Sequence, residues 1–344
     1  MLYVTTRDNR DAYTPQRVLQ ESRGPDGGLF VPFRLPKLSQ QELEELAARG
    51  FNGCVAEILN LLFHTQFTSW DVDFAIGRYA VRLVQLRQRI LLGECWHNSE
   101  WQFSRTVENL VGLLKDQKDA AEIAADWTVV GARIAVLFGI FGELIRCGIA
   151  AEGKCVDVSV VSGDFSAPMS AWYAREMGLP VGTILCCCNE NSAIWELICH
   201  GQFRTDGVAV TTTTPEADIL VPRGLERLIH ATLGHEEVNR YVDIMRRGGT
   251  YRVDAENLQK LRSGIYVMVS SCRRVAETIP NVYSGDGCVL SPYSALTYAG
   301  LLDYRARTGE RRFGLLLGEK SPVCDREMVA SQLGISPAEL EQYL

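Results

Sequence analysis

Lysine is scarce in this sequence. Six are present among 344 residues (Lys37, Lys115, Lys118, Lys154, Lys260 and Lys320), and every other basic side chain is an arginine. Acidic residues outnumber basic ones, 42 to 35, for a net charge of −7, and no run of basic residues exists to neutralise successive phosphates along a duplex. A nucleic-acid partner is therefore not expected. Long apolar runs are missing as well: stretches such as 177–189 stop short of the ~18 consecutive apolar residues of a membrane span, so no membrane association is expected. The first eight residues, Met1-Leu2-Tyr3-Val4-Thr5-Thr6-Arg7-Asp8, have no basic segment followed by an apolar core. No secretory leader is expected there, and the cytoplasm is the expected compartment. The eleven cysteines contain no Cys-x-x-Cys pair. An odd count with three adjacent thiols, Cys186, Cys187 and Cys188, reads as reduced cysteines in a core. Cys95 with His97 and Cys199 with His200 lack a second pair at ligand spacing, so no metal site is expected.

What is present is an ordinary globular composition, 47% hydrophobic and 22% charged, which excludes a disordered chain. A glycine-rich turn, Gly24-Pro25-Asp26-Gly27-Gly28, precedes a short strand at Leu29-Phe30-Val31-Pro32. Ser39 with Glu42 three residues on forms a capping-box pattern for a helix over 40–49. Helical spacing continues over 54–63 and 72–90, so residues 1–93 read as a mainly helical N-terminal region. Another helix is expected over 103–114, then a charged connector from Lys115 to Ala125. Val130, Ile134, Leu137, Phe138, Phe141 and Ile145 mark a buried helix in which Gly131, Gly139 and Gly142 permit close approach of neighbours.

From Lys154 onward the pattern alternates. Strands are expected over 156–161, 181–188, 208–213, 265–270 and 313–317, with helices over 167–177 and 192–200. Alternating short β-branched runs and helices indicate an α/β, doubly wound, mainly parallel sheet. Its ligand site should lie beyond the carboxyl ends of strands. The turns to inspect are Ser162-Gly163-Asp164-Phe165-Ser166-Ala167 and Asn189-Glu190-Asn191. The first joins a strand to a helix N-terminus, where free N–H groups can hold an anion, although Asp164 brings a negative charge of its own. Asp164 or Ser166 could equally serve as a plain cap there, and Asn191 as the cap of the next helix.

Four segments resemble the threonine synthases, pyridoxal phosphate (PLP) enzymes of the tryptophan-synthase β fold, fold type II. Pro25-Asp26-Gly27-Gly28-Leu29-Phe30-Val31-Pro32 is similar to the family's PDGGLYVP signature. Ser162-Gly163-Asp164-Phe165, Tyr173-Ala174-Arg175-Glu176-Met177-Gly178-Leu179-Pro180 and Asn189-Glu190-Asn191 resemble its GNFGD…YAKxMGLP…TNEN block. Thr212-Thr213-Thr214-Pro215, Asp218-Ile219-Leu220 and Leu225-Glu226-Arg227-Leu228 resemble TxSPxMDI…NxERL, and Leu290-Ser291-Pro292-Tyr293-Ser294-Ala295 resembles the DPHTA segment.

The departures from that pattern fall where the family's chemistry lies. Its PLP lysine sits in a segment like HGPTxxFKD. The matching stretch here runs from Glu94 to Arg105, and the resemblance puts Ser104 in the lysine's place. A hydroxyl cannot form the imine that holds the cofactor aldehyde. Lys320 falls in the region the resemblance places beside the pyridine nitrogen, and is expected to be a solvated surface lysine. The family's small substrate lobe has only the 115–125 connector as its counterpart. Asp164 and Ser166 replace Asn and Gly of the phosphate loop, and Tyr293 replaces a histidine.

The resemblance thus implies three regions: a helical N-terminal part (1–93), a degenerate lysine segment with a short connector in place of the lobe (94–125), and an α/β large domain (126–344). The leading expectation is a protein that has lost PLP-dependent catalysis and acts as a noncatalytic binding, regulatory or structural protein. The alternative is a residual lyase, converting O-phosphohomoserine to threonine and phosphate, or an enzyme binding a phosphorylated metabolite. No covalent cofactor is expected, while weak noncovalent PLP or phosphate binding at 162–167 is, with His97, Arg105, Asn189, Glu190 and Glu319 as pocket residues. A small phosphorylated or amino-acid ligand is the expected occupant. A third reading makes Ser104 a nucleophile with His97 as base and Glu94 or Glu100 as orienter; the plainer role for His97 is packing beside Trp96 and Trp101. Loss of a lobe would bare a surface flanked by Trp96, Trp101 and Trp127, from which a homodimer or hetero-assembly is expected, unless these rings fold inward to fill the old cavity.

Overall fold

The computed structural model of the chain describes residues 1–78, 81–98, 100–115, 126–204 and 206–343. In chain order the N-terminal part comprises β1 (Tyr3–Thr5), α1 (Pro15–Gln20), β2 (Phe30–Pro32), α2 (Gln40–Ala47), α3 (Gly50–Phe63) and α4 (Ser69–Ile76). Next come β3 (Arg82–Leu86), β4 (Ile90–Glu94), α5 (Phe103–Leu114) and α6 (Trp127–Arg146). The α/β part follows as β5 (Val156–Val161), α7 (Ser166–Glu176), β6 (Val181–Cys188), α8 (Ala193–His200), β7 (Gln202–Phe203), α9 (Leu225–Leu233), α10 (His235–Arg246), β8 (Tyr251–Arg252) and α11 (Ala255–Gly264). It ends with β9 (Tyr266–Val269), α12 (Cys272–Asp286), α13 (Pro292–Thr308), β10 (Gly314–Gly318) and α14 (Arg326–Leu333).

Local chemistry accounts for several of these boundaries. The capping box at Ser39 and Glu42 forms and starts α2. The helix expected over 72–90 does not: α4 ends at Ile76 on Gly77, whose φ of +77° favours glycine. Beyond it β3 and β4 turn back on each other through Gln88 and Arg89, both at positive φ. The strand expected over 208–213 is likewise absent; that segment joins none of the described sheets.

A six-stranded sheet of order β3-β4-β10-β5-β6-β9 forms the centre, parallel throughout except for the antiparallel edge strand β3. Helices cover both faces. On one side α6 packs against α3, α2, α5 and α7; on the other, α12 and α13 lie over Leu92, Leu316 and Met268. The cysteine triplet obeys the alternation of a strand, with Cys186 and Cys188 in the first core and Cys187 in the second. The glycines of α6 have a steric reason: a Cβ on Gly131 would lie 2.6 Å from the Phe63 ring, and one on Gly139 2.8 Å from Phe51. By length and composition α6 is apolar enough to cross a membrane, yet it is buried inside the fold, as a core helix is.

Residues 116–125, most of the connector expected to replace a lobe, lie outside the described residues; flanking them, Lys115 and Asp126 form an ion pair. The last strand, β10, is inserted between β4 and β5. Chain order therefore reverses at β10, and the carboxyl ends of β10 and β5 open side by side, which is where a doubly wound sheet leaves a crevice.

Candidate functional site

A cavity of about 190 Å³ fills that crevice. The turn after β5 supplies Ser162, Gly163, Asp164, Ser166 and Ala167; the start of α5 supplies Gln102 and Ser104; the end of β10 supplies Glu319 and Lys320; Arg133 of α6 forms the back wall, and Glu216, Ala217, Ile219 and Tyr293 close the front. The 162–167 turn thus lies where strand topology led one to look, with the exception of Phe165, which is fully buried beneath it at φ +74°.

Asp164 does not hang free in this turn. Its Oδ1 accepts the Ser166 backbone N–H at 2.9 Å and the Ser166 hydroxyl at 2.6 Å. The N-terminus of α7, the natural seat for an anion, therefore already holds the chain's own carboxylate. Behind it, the Arg133 guanidinium makes a two-pronged pair with Glu319 (2.7 and 2.9 Å) and stacks over the Phe103 ring at 5.0 Å. Burial opposes the charge on Arg133, but Glu319 outweighs it and raises its pKa above the ordinary value.

Lys320 is not the solvated surface lysine expected from sequence. Its side chain is 13% exposed, with Nζ 2.6 Å from Glu216 Oε1 and 4.9 Å from the centre of the Tyr293 ring. Burial works to discharge this amine, and the hydrogen bond to Glu216 with the neighbouring negative charge more than offsets it, so its pKa is raised. It is held as an ammonium. Burial also pushes the Tyr293 phenol up to about 12, and its Oη accepts the Glu216 backbone N–H. Sequence reading missed Arg133, Glu216 and Gln102 as cavity residues. Arg133 could have been found from its position as the one basic residue in the middle of an otherwise apolar helix; Glu216 carries no local signal.

Of the other pocket residues expected from sequence, Glu319 lines the cavity and four are placed elsewhere. His97 bonds Glu94 Oε2 through Nε2 at 3.0 Å and lies beside Trp96. Arg105 pairs outward with Glu100 and Glu108. Asn189 directs its amide at Thr212 Oγ1, Thr214 Oγ1 and Asp218 Oδ1, at 2.9, 2.9 and 2.7 Å. Glu190 accepts the Cys272 backbone N–H at 2.6 Å and thereby caps α12. Asn191 does not cap α8, whose first turn has no side-chain cap; it bonds Val210 instead.

The hydrolytic arrangement does not assemble either. The Ser104 hydroxyl faces Gln102 Oε1 at 3.5 Å, and no hydrogen bond among the described residues joins it to His97. Trp96 and Trp127 fold inward, 3% and 0% exposed, whereas Trp101 remains 45% exposed. Among the described residues no group of three or more metal-ligating side chains occurs.

The family profile "Threonine synthase N terminus" matches residues 2–78. Threonine synthase from Pseudomonas aeruginosa is 26% identical over 239 residues, 66% of this chain and 50% of that protein. Human threonine synthase-like 1 is 24% identical over 158 residues, 45% of this chain and 21% of that protein. The chain thus spans half or less of the length of these curated relatives. In fold, yeast threonine synthase superposes with a TM-score of 0.86 at 16% identity, covering 99% of this chain and 93% of that one. The PLP-bound threonine synthase of Brucella melitensis superposes with a TM-score of 0.84 at 17% identity, covering 100% and 94%. By its N-terminal match and these curated proteins the chain is similar to the threonine synthases, and it shares the fold of two solved threonine synthases along its length.

Proposed function

We propose that this protein holds no cofactor covalently and works as a noncatalytic, threonine synthase-like binding protein that takes a small polar ligand in the cavity at the ends of β5 and β10. The observation that carries this reading is Ser104: it lines the cavity at the start of α5, in the position the resemblance assigns to the PLP lysine, and presents a hydroxyl in place of an amine. PLP, which the Brucella protein binds, fits the residues here poorly. The first N–H of α7 is taken by Asp164, the guanidinium of Arg133 by Glu319, and the Lys320 ammonium by Glu216. Three of the donors that could receive a phosphate or an aldehyde are thus already engaged within the chain, while Arg133 Nε has no partner among the described residues. A shortened lobe between α5 and α6 and a cytoplasmic setting, consistent with eleven free cysteines, complete the proposal.

The test is absorption spectroscopy of the purified protein with added PLP, before and after borohydride. The expected result is no new visible band and no borohydride-stable pyridoxyl group by mass spectrometry. A trapped adduct, or phosphate release from O-phosphohomoserine that depends on PLP, would overturn it. A second reading, a residual lyase, rests on Lys320, because that amine does line the cavity. It requires the adduct to map to Lys320.

A further inference from the structure

We propose that residues 207–211, whose outward backbone groups meet no partner among the described residues, are an edge strand through which two copies of this chain associate, antiparallel and centred on Ala209. The inference is independent of what the cavity binds.

The segment carries the β-branched sequence that led to a strand being expected, and the structure explains why none is counted: its partner on one side consists of side chains. Val210 donates its N–H to Asn191 Oδ1 and accepts from Asn191 Nδ2, both at 2.8 Å, and the Thr212 N–H donates to Asp218 Oδ2 at 2.9 Å. Residues two apart thus direct their backbone groups to the same side, as a strand does. The groups of Gly207, Ala209 and Thr211 then face the other way, toward solvent, and all three residues are exposed. Exposed along with them are two large apolar side chains, Val208 at 90% and Val210 at 52%. An open row of backbone donors and acceptors flanked by exposed valines is a template for strand addition.

The two exposed valines, placed symmetrically about Ala209, suit a second copy of the same segment. An antiparallel ladder forms hydrogen-bonded pairs between residues whose groups face outward. Pairing Ala209 with Ala209 of a second copy satisfies this requirement, and it also sets Gly207 opposite Thr211 on both sides of the axis. In the same register Val208 of each copy lies directly opposite Val210 of the other, in the non-hydrogen-bonded positions where side chains approach most closely. The exposed valines of each copy therefore cover those of the other. A two-fold, self-complementary contact of this kind closes on itself and leaves no further edge. Asp206 falls opposite Thr212, so no like charges meet directly in the pair.

Sedimentation equilibrium of the full chain across a dilution series tests the proposal. The expected result is a reversible monomer–dimer equilibrium that is weakened about tenfold or more by Ala209→Pro, which removes an outward N–H from each copy, and by Val208→Lys, which sets a charge against a valine. Both changes lie on the exposed side, so circular dichroism and melting temperature should stay those of the parent. For the register, Ala209→Cys, which meets itself on the axis, should crosslink under mild oxidation faster than Thr211→Cys, which faces Gly207. A parent chain that stays monomeric at every concentration, or a dimer that both Ala209→Pro and Val208→Lys leave intact, overturns the proposal. The first outcome would leave this edge to a foreign strand or to none. Equal crosslinking of the two cysteine variants overturns the register.

Discussion

The two strand-to-helix turns that sequence singled out end in opposite roles. After β5, the turn spends its polar groups on itself, Asp164 on Ser166, and leaves a cavity in front of them. After β6, the turn spends its polar groups on another segment: Asn189 and Asn191 hold 210–218 through Val210, Thr212, Thr214 and Asp218. Both sit at carboxyl ends of neighbouring parallel strands. The difference arises one strand away, because β5 borders the inserted strand β10 and its crevice, whereas β6 borders β9 and has a loop lying over its end. A motif at a strand end is thus a site or a clamp according to what packs in front of it.

Five substitutions would break or sharpen this contrast. The largest effect is expected from Glu319→Ala, which leaves the mostly buried Arg133 guanidinium without its partner; unfolding in urea should show a loss of about 3 kcal/mol, and Arg133→Met in the same background should recover much of it. Asn189→Ala should cost about 2–3 kcal/mol by leaving buried acceptors around Thr214 and Asp218 unpaired. It should also raise hydrogen exchange in 206–218 while leaving the cavity residues protected; equal loosening of both regions would mean that the turns are not separate devices.

Asp164→Asn is expected to change stability by only about 0.5–1 kcal/mol, since an amide oxygen can still accept from Ser166. Removing the internal anion should let the α7 N-terminus take inorganic phosphate more tightly, with an affinity that falls as salt rises. Calorimetry showing no phosphate binding to either form would remove the anion-seat account of this turn. The smallest effect concerns Lys320. Its pKa is raised by Glu216, so less neutral amine is available at a given pH than for a free lysine, and the amine becomes reactive only as pH rises. Glu216→Gln should move the onset of borohydride trapping of a small aldehyde to lower pH, followed by peptide mapping; an onset that moves upward or not at all would show that Glu216 does not hold this charge.

Local signals decided much of the fold. The capping box before α2, the glycines and apolar residues of α6 and the β-branched runs of β5, β6 and β9 act over a few residues, through N–H capping, side-chain period and steric approach, and were legible for that reason. The departure of Ser104 from the lysine pattern was equally a property of sequence, and so was the presence of Asp164 in the turn. Tertiary structure decided the rest. Helical and strand spacing cannot be separated in a mixed apolar run, so the β3–β4 hairpin became visible only once β4 was seen paired to β10. The pairing of Lys320 with Glu216 and of Arg133 with Glu319 joins residues more than a hundred positions apart, and that of Val210 with Asn191 joins two separate loops. Such contacts depend on where β10 inserts and which loop covers each strand end, and those distances are set by the packed chain rather than by any stretch of it.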